Sequence, residues 1–209
     1  MKSNADFWDK AAPGYAAKPI SDTQAYDLTL ERIRAHLTCE ARVLELGCGT
    51  GGTALKLSDA AGDIYATDVS KGMIAEALKR PQVPNVSFGV GDVFNPALEP
   101  GQFDVVIALN LYHLVPDGAA YLKRVRDLLA PGGLYISKSP CLAERDLGIK
   151  FGLLKVAIPV MQWIGKAPFV RFFGIAELED EITAAGFEIV EAGNYPVRPP
   201  NHFVVARTV

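Results

Sequence analysis

The sequence predicts an α/β fold: a mostly parallel sheet of seven strands, helices on both faces and an antiparallel hairpin at the end. Three observations carry this reading. Short apolar runs alternate with helical patterns over roughly 100 residues. A glycine-rich loop follows directly on the first apolar run. The last two strands are too close for a helix between them, and a parallel pair needs a crossover of about a dozen residues, so they pair antiparallel.

The elements follow in order. Arg42–Leu46 (RVLEL) is a buried strand running into Gly47, Cys48, Gly49, Thr50, Gly51 and Gly52. Thr53–Ala60 is helical in character, and Asp63–Asp68 (DIYATD) is the second strand. Ser70 caps a helix over Lys71–Lys79 that Pro81 stops. Asn85–Val90 is the third strand and ends at Gly91-Asp92. Phe103–Leu109 (FDVVIAL) is the most apolar strand, as the centre of a parallel sheet requires. Pro116–Ala130 places Tyr121, Leu122, Val125, Leu128 and Leu129 on one helical side, and Pro131-Gly132-Gly133 turns the chain into the strand Leu134–Ser137. A helix over Ile175–Ala185 precedes the strands Phe187–Asn194 and Phe203–Ala206, joined through Pro196, Pro199 and Pro200.

Composition narrows the function classes. A chain of 209 residues with 49% apolar content suits one domain with a sizeable core. The net charge of −3 argues against general nucleic-acid binding, which shows a basic stripe. Cys39, Cys48 and Cys141 are too few and too scattered for a disulfide framework, and no metal site is expected from them or from His36, His113 and His202. The opening MKSNADFWDK lacks the apolar run of a signal peptide, so a cytoplasmic protein is expected.

The strongest signal is the loop with its neighbouring acids. Gly47, Gly49 and Gly52 fit G-x-G-x-x-G with Asp68 at the end of the next strand, the pattern of a nicotinamide-dependent oxidoreductase. Three features oppose that reading. Glu45 puts a carboxylate just before the first glycine, poor beside a pyrophosphate and good beside a cation. Asp92 closes the third strand, where it can meet an exocyclic amine. The hairpin ending leaves no second mononucleotide-binding half. A cationic, adenosine-bearing ligand with an amino-acid tail, S-adenosylmethionine, fits all three acids.

With these residues the sequence resembles the class I S-adenosylmethionine-dependent methyltransferases of small-molecule type. The resemblance runs through VLELGCGTG at Val43–Gly51, TD at Asp68, Gly91-Asp92, FDVVIALNLYHL at Phe103–Leu114, LLAPGG at Leu128–Gly133 and AAGFEIV at Ala184–Val190. It implies a Rossmann-like sheet and transfer of a methyl group from S-adenosylmethionine, leaving S-adenosylhomocysteine. It also implies roles for particular residues. Glu45, Gly47, Cys48, Gly49 and Gly51 line the methionine and ribose part, and Asp68 holds the ribose hydroxyls. Val69 and Met73 flank the adenine, Asp92 and Val93 contact it, and Asn110 faces the methyl donor. Tyr15, in the opening FWDKAAPGY, folds over the cofactor as part of a lid. Cys48 reads as a small packing residue. A cofactor-binding module without catalysis stands as a further alternative.

His113 is the candidate general base, just past the carboxyl end of the central strand, with an ordinary pKa of ~6.5. His36 and His202 read as structural or exposed, and Lys138, Lys150 and Arg171 could meet an acidic acceptor group. The acceptor itself is expected to be small and hydrophobic or lipid-like. That expectation comes from Cys141–Gly174, where Leu147, Phe151, Leu154, Ile158 and Met161 share a helical face. Tyr112, Phe151, Leu154, Ile158 and Trp163 are the candidate acceptor contacts. Lys150, Lys155 and Pro159 argue against a membrane span. A lid over an apolar acceptor is the first reading of 147–173. A peripheral membrane surface, a homodimer face and extra helices packed on the core are the others. The single domain thus divides into a helical lid (1–40), a cofactor-binding core (41–140), an apolar insert (141–174) and a closing helix and hairpin (175–209).

Overall fold

The computed structural model describes residues 4–143, 161, 162, 167–197 and 200–209. Two helices, α1 (Asn4–Ala17) and α2 (Thr23–Arg34), precede β1 (Arg42–Leu46), α3 (Gly52–Leu57), β2 (Asp63–Asp68) and α4 (Lys71–Leu78). Then come β3 (Val86–Val90), β4 (Phe103–Leu109), α5 (Gly118–Leu128), β5 (Leu129–Pro140), α6 (Ile175–Ala184), β6 (Phe187–Asn194) and β7 (Asn201–Thr208). The sheet has seven strands in the order β3-β2-β1-β4-β5-β7-β6. The first five pair in parallel, and β7 lies antiparallel to both β5 and β6. The mostly parallel sheet with its terminal hairpin is as the sequence predicts.

Both faces of the sheet are buried, which is why its central strands β1 and β4 are mostly apolar. Leu44, Leu46, Val106 and Tyr135 pack with Leu122, Val125 and Leu128 of α5 and with Leu178 and Ile182 of α6. On the opposite face Val43, Ile64, Ile107 and Ile136 meet Leu30 and Ile33 of α2 and Ala54 and Leu57 of α3. Each such aliphatic side chain contributes about 1.5–3 kcal/mol when fully buried. Helix starts are fixed by short polar caps: Asp22, Ser70 and Asp117 accept the amides of Ala25, Met73 and Ala120 at 2.9–3.0 Å.

The structure departs from the sequence reading at β5. Its pairing begins at Leu129, opposite Phe103, and resumes with Leu134 opposite Val105. Pro131-Gly132-Gly133 is therefore an excursion inside the strand rather than a turn leading to it, and Gly132 takes a φ of 73° there. His36 and His202 are structural. His36 Nε2 lies 2.7 Å from Glu191 Oε2, and the buried His202 ring spans Asn194 and Glu179 at 2.9 and 2.8 Å. Of the apolar insert, Phe151, Leu154, Ile158 and Trp163 lie outside the described residues. No described helix is long and apolar enough to cross a membrane.

Candidate functional site

The chain leaves β1 and β4 in opposite directions across the sheet, and ligands of open α/β sheets bind in the crevice where that reversal occurs. The glycine loop fills one side of it. Gly47, Gly49 and Gly51 have φ values of 68°, 54° and 72°, in the left-handed region that side chains disfavour. A Cβ on Gly47 would come within 2.9 Å of Leu111, and one on Gly51 within 2.6 Å of the Phe88 ring and 3.0 Å of Ala77. Gly52 differs: a Cβ there meets nothing within 4 Å. In the dinucleotide fingerprint the third glycine exists for close helix–strand packing. That demand is absent at Gly52 and falls instead on Gly51, which the fingerprint does not use.

Glu45 ends inside this loop and is 4% exposed. Its Oε2 has no hydrogen-bond partner among the described residues. Burial pushes its carboxyl up to about 8, opposed by the Ala54 amide and reinforced by the Asp68 charge. An ionised carboxylate buried without a counter-charge is costly, so the free Glu45 holds a proton near neutral pH and would ionise beside a cation. Asp68 is also buried. Its Oδ2 accepts the Gly49 amide at 3.0 Å and its Oδ1 the Ser70 amide at 2.9 Å, while burial pushes its carboxyl up. Each oxygen keeps a second lone pair for a ligand hydroxyl. Cys48 is buried, its amide donates to Thr67 O at 2.9 Å, and burial holds the thiol protonated.

The other residues of the sequence reading follow the ends of β2 and β3 or lie in α4 and α1. Val69 is 38% exposed at the tip of β2, whereas Met73 is buried under the first turn of α4. Asp92 is exposed and accepts the Phe94 amide at 2.9 Å. Val93 is buried, and its carbonyl accepts from Arg124 at 3.3 Å. Tyr15 is 53% exposed, and a Cβ added to Gly49 would lie 3.9 Å from its ring.

Across the crevice, Asn110 is the one described non-glycine residue with positive φ, 54°. Its amide donates to Lys138 O at 2.6 Å and its Oδ1 accepts from Asn201 Nδ2 at 3.0 Å, tying the tip of β4 to β5 and β7. His113 lies in a single 3₁₀ turn, Tyr112–Leu114, and burial pushes its ring down to about 4. Its Nδ1 is buried without a partner among the described residues. Tyr112 points into the core. Its hydroxyl donates to Glu181, and its ring lies 5.4 Å from the Arg171 guanidinium and 5.7 Å from the Phe173 ring. Two cations offered for an acidic acceptor are engaged inside the protein: Lys138 Nζ donates to Thr29 Oγ1 at 2.7 Å, and Arg171 pairs with Glu181 at 2.5 Å. Sequence reasoning missed Asp9, whose Oδ1 accepts from Ser70 Oγ at 2.6 Å and the Gly72 amide at 2.8 Å. A glycine in the first turn of α4 was its signal, since a Cβ on Gly72 would come within 2.9 Å of the Asp9 carbonyl.

This loop, its two acids and the strand order around them coincide with a known domain: residues 43–133 match the family described as a methyltransferase domain. These residues belong to that family. Over 189 residues the chain is 28% identical to a ubiquinone biosynthesis O-methyltransferase of Ruegeria pomeroyi, covering 88% of this chain and 73% of that one. It is 29% identical over 190 residues to the highly reducing polyketide synthase lcsB of Purpureocillium lilacinum, covering 83% of this chain but only 7% of that synthase's length. Among solved structures, a phosphoethanolamine N-methyltransferase of Haemonchus contortus, in complex with S-adenosylhomocysteine, superposes with a TM-score of 0.76 at 18% identity. It covers 100% of this chain and 60% of that one. The domain therefore has the class I methyltransferase fold.

Proposed function

We propose that this protein transfers a methyl group from S-adenosylmethionine to a small, apolar or lipid-like acceptor. The observation that carries the reading is the buried Glu45 carboxyl beside Asp68 in the glycine loop, its Oε2 without a partner among the described residues. When bound, S-adenosylmethionine supplies a methyl group already activated on a cationic sulfur. The chain's own work is to bind, align and exclude water. Glu45 balances the positive charge of the amino-acid end, Asp68 accepts from the ribose hydroxyls, and the open face of Gly49 lets the ligand lie against backbone. Val69, Met73, Asp92 and Val93 border the adenine, and Tyr15 covers the loop.

On the acceptor side Asn110 and the Tyr112–Leu114 turn set the approach. The neutral His113 imidazole, its Nδ1 without a partner among the described residues, is the group that would take a proton from a hydroxyl or carbon acid once an acceptor opens a path to it, a step that a neutral amine does not require. The apolar stretch 147–173 supports an acceptor of apolar character, as does similarity to a protein named for ubiquinone biosynthesis. A cytoplasmic setting, with peripheral membrane contact or pairing of two copies through 147–173, belongs to the same proposal. Formation of S-adenosylhomocysteine with a panel of phenolic, quinone-like and lipid acceptors tests the function. Acceptor-dependent product supports it, and tight cofactor binding with no product across the panel contradicts it.

A further inference from the structure

We infer that Asp9 is a positioning residue that seats α1 as a cover on the cofactor site, acting through Ser70 on Asp68 and through Tyr15 on the glycine loop. The inference rests on the S-adenosylmethionine reading above and adds to it the device that admits and retains that ligand.

Four side chains and one glycine form a closed circuit. Asp9 Oδ1 accepts from Ser70 Oγ at 2.6 Å, and the Ser70 amide donates to Asp68 Oδ1 at 2.9 Å. Asp68 Oδ2 accepts the Gly49 amide at 3.0 Å, and the Tyr15 ring lies on the side of Gly49 where a side chain would project, 3.9 Å from where its Cβ would stand. Tyr15 returns the circuit to α1, six residues and about 9 Å along the helix from Asp9. Ser70 is fully buried and uses its hydroxyl twice, donating to Asp9 and accepting the Met73 amide at 3.0 Å. The Gly72 amide, ahead of the Ser70 hydroxyl, holds the Asp9 carboxyl below its ordinary value, so the latch stays ionised.

α1 packs against α4. Of its described side chains only Ala12 is buried, and Tyr15, Gly14 and Pro13 are exposed. Residues 18–22, which lead to α2, are exposed throughout. A terminal helix joined to the body through the exposed residues 18–22 can open without unfolding the sheet core. Gly72 makes the docking possible, because any side chain there would strike the Asp9 backbone.

The test uses S-adenosylhomocysteine as probe and Trp8 as reporter, since Trp8 packs edge-on against Tyr15 with ring centroids 6.2 Å apart. Trp163→Phe leaves Trp8 as the sole indole of the two in the chain. Stopped-flow dissociation is then compared across this parent, Asp9→Ala, Tyr15→Ala and the double variant. The expected result is dissociation about tenfold faster in each single variant and still about tenfold in the double, because both remove one cover. Asp9→Asn, which keeps an acceptor for the Gly72 amide, falls between parent and Asp9→Ala. Parent-like dissociation in Asp9→Ala overturns the inference, and so does a roughly hundredfold, additive double variant. A parent that binds no S-adenosylhomocysteine overturns the cofactor reading instead.

Discussion

Asp68 and Gly49 are joined across the tips of β2 and β1, the Gly49 amide donating to Asp68 Oδ2 at 3.0 Å. One carboxylate thus holds the loop in shape and presents its remaining lone pairs to the crevice. The glycine loop and its acid are a single unit, so damage to either is read by the other.

The glycines of that unit are not equivalent. Gly51→Ala forces a left-handed φ on a side chain and drives its Cβ into Phe88. The expected cost is about 2–5 kcal/mol, the sum of backbone strain and overpacking. Gly52→Ala has open space and a helical backbone and should change stability by less than about 1 kcal/mol. Urea unfolding of the two variants checks this. Equal effects would mean that the loop packs differently.

Glu45 gives a pH signature. Its folded-state carboxyl sits at about 8 against an ordinary 4.5, so between those values the folded protein holds a proton that the unfolded chain has lost. Ligand-free stability from this group is therefore full below the lower value and falls as pH rises through the upper one. A cation beside it reverses the preference, so S-adenosylmethionine binding at pH 7 should release about one proton. Calorimetry in buffers of different ionisation enthalpy measures that number, and Glu45→Gln should abolish it. Wild-type binding without buffer dependence would contradict the assignment.

His113 should behave in the opposite sense to an exposed histidine. With its ring at about 4 against an ordinary 6.5, the unfolded chain binds the extra proton between those values. Stability is lost as pH falls through that window. The ring proton resonances of His113 should stay constant between pH 5.5 and 8, as nuclear magnetic resonance can follow. A midpoint near 6.5 would place the ring in water.

The parts of this molecule that were legible in the sequence are those written in local pattern. The apolar runs RVLEL and FDVVIAL announce buried strands, Ser70 announces a helix start, and Glu45, Gly49 and Asp68 announce the crevice. What escaped depends on contacts between distant segments. Asp9 looks like any helical carboxylate until α1 folds onto α4, 61 residues on. Tyr112, expected to face the acceptor, turns inward because Glu181 accepts its hydroxyl and Arg171 lies over its ring. Arg171 and Lys138 read as charges free for a ligand, yet Glu181 and Thr29 engage them. The start of β5 was hidden because Pro131-Gly132-Gly133 has turn composition, while the pairing of Leu129 with Phe103 is non-local.

The central claim is that the crevice over the glycine loop, with Asp68 as its acid, holds the cofactor. Isothermal titration of the protein with S-adenosylhomocysteine, wild type beside Asp68→Ala, tests it most directly. The account predicts one-to-one binding that weakens at least about hundredfold in the variant, since it loses both the ligand contact and the Gly49 anchor. No binding by the wild-type protein, or equal binding by a folded Asp68→Ala variant, would contradict it.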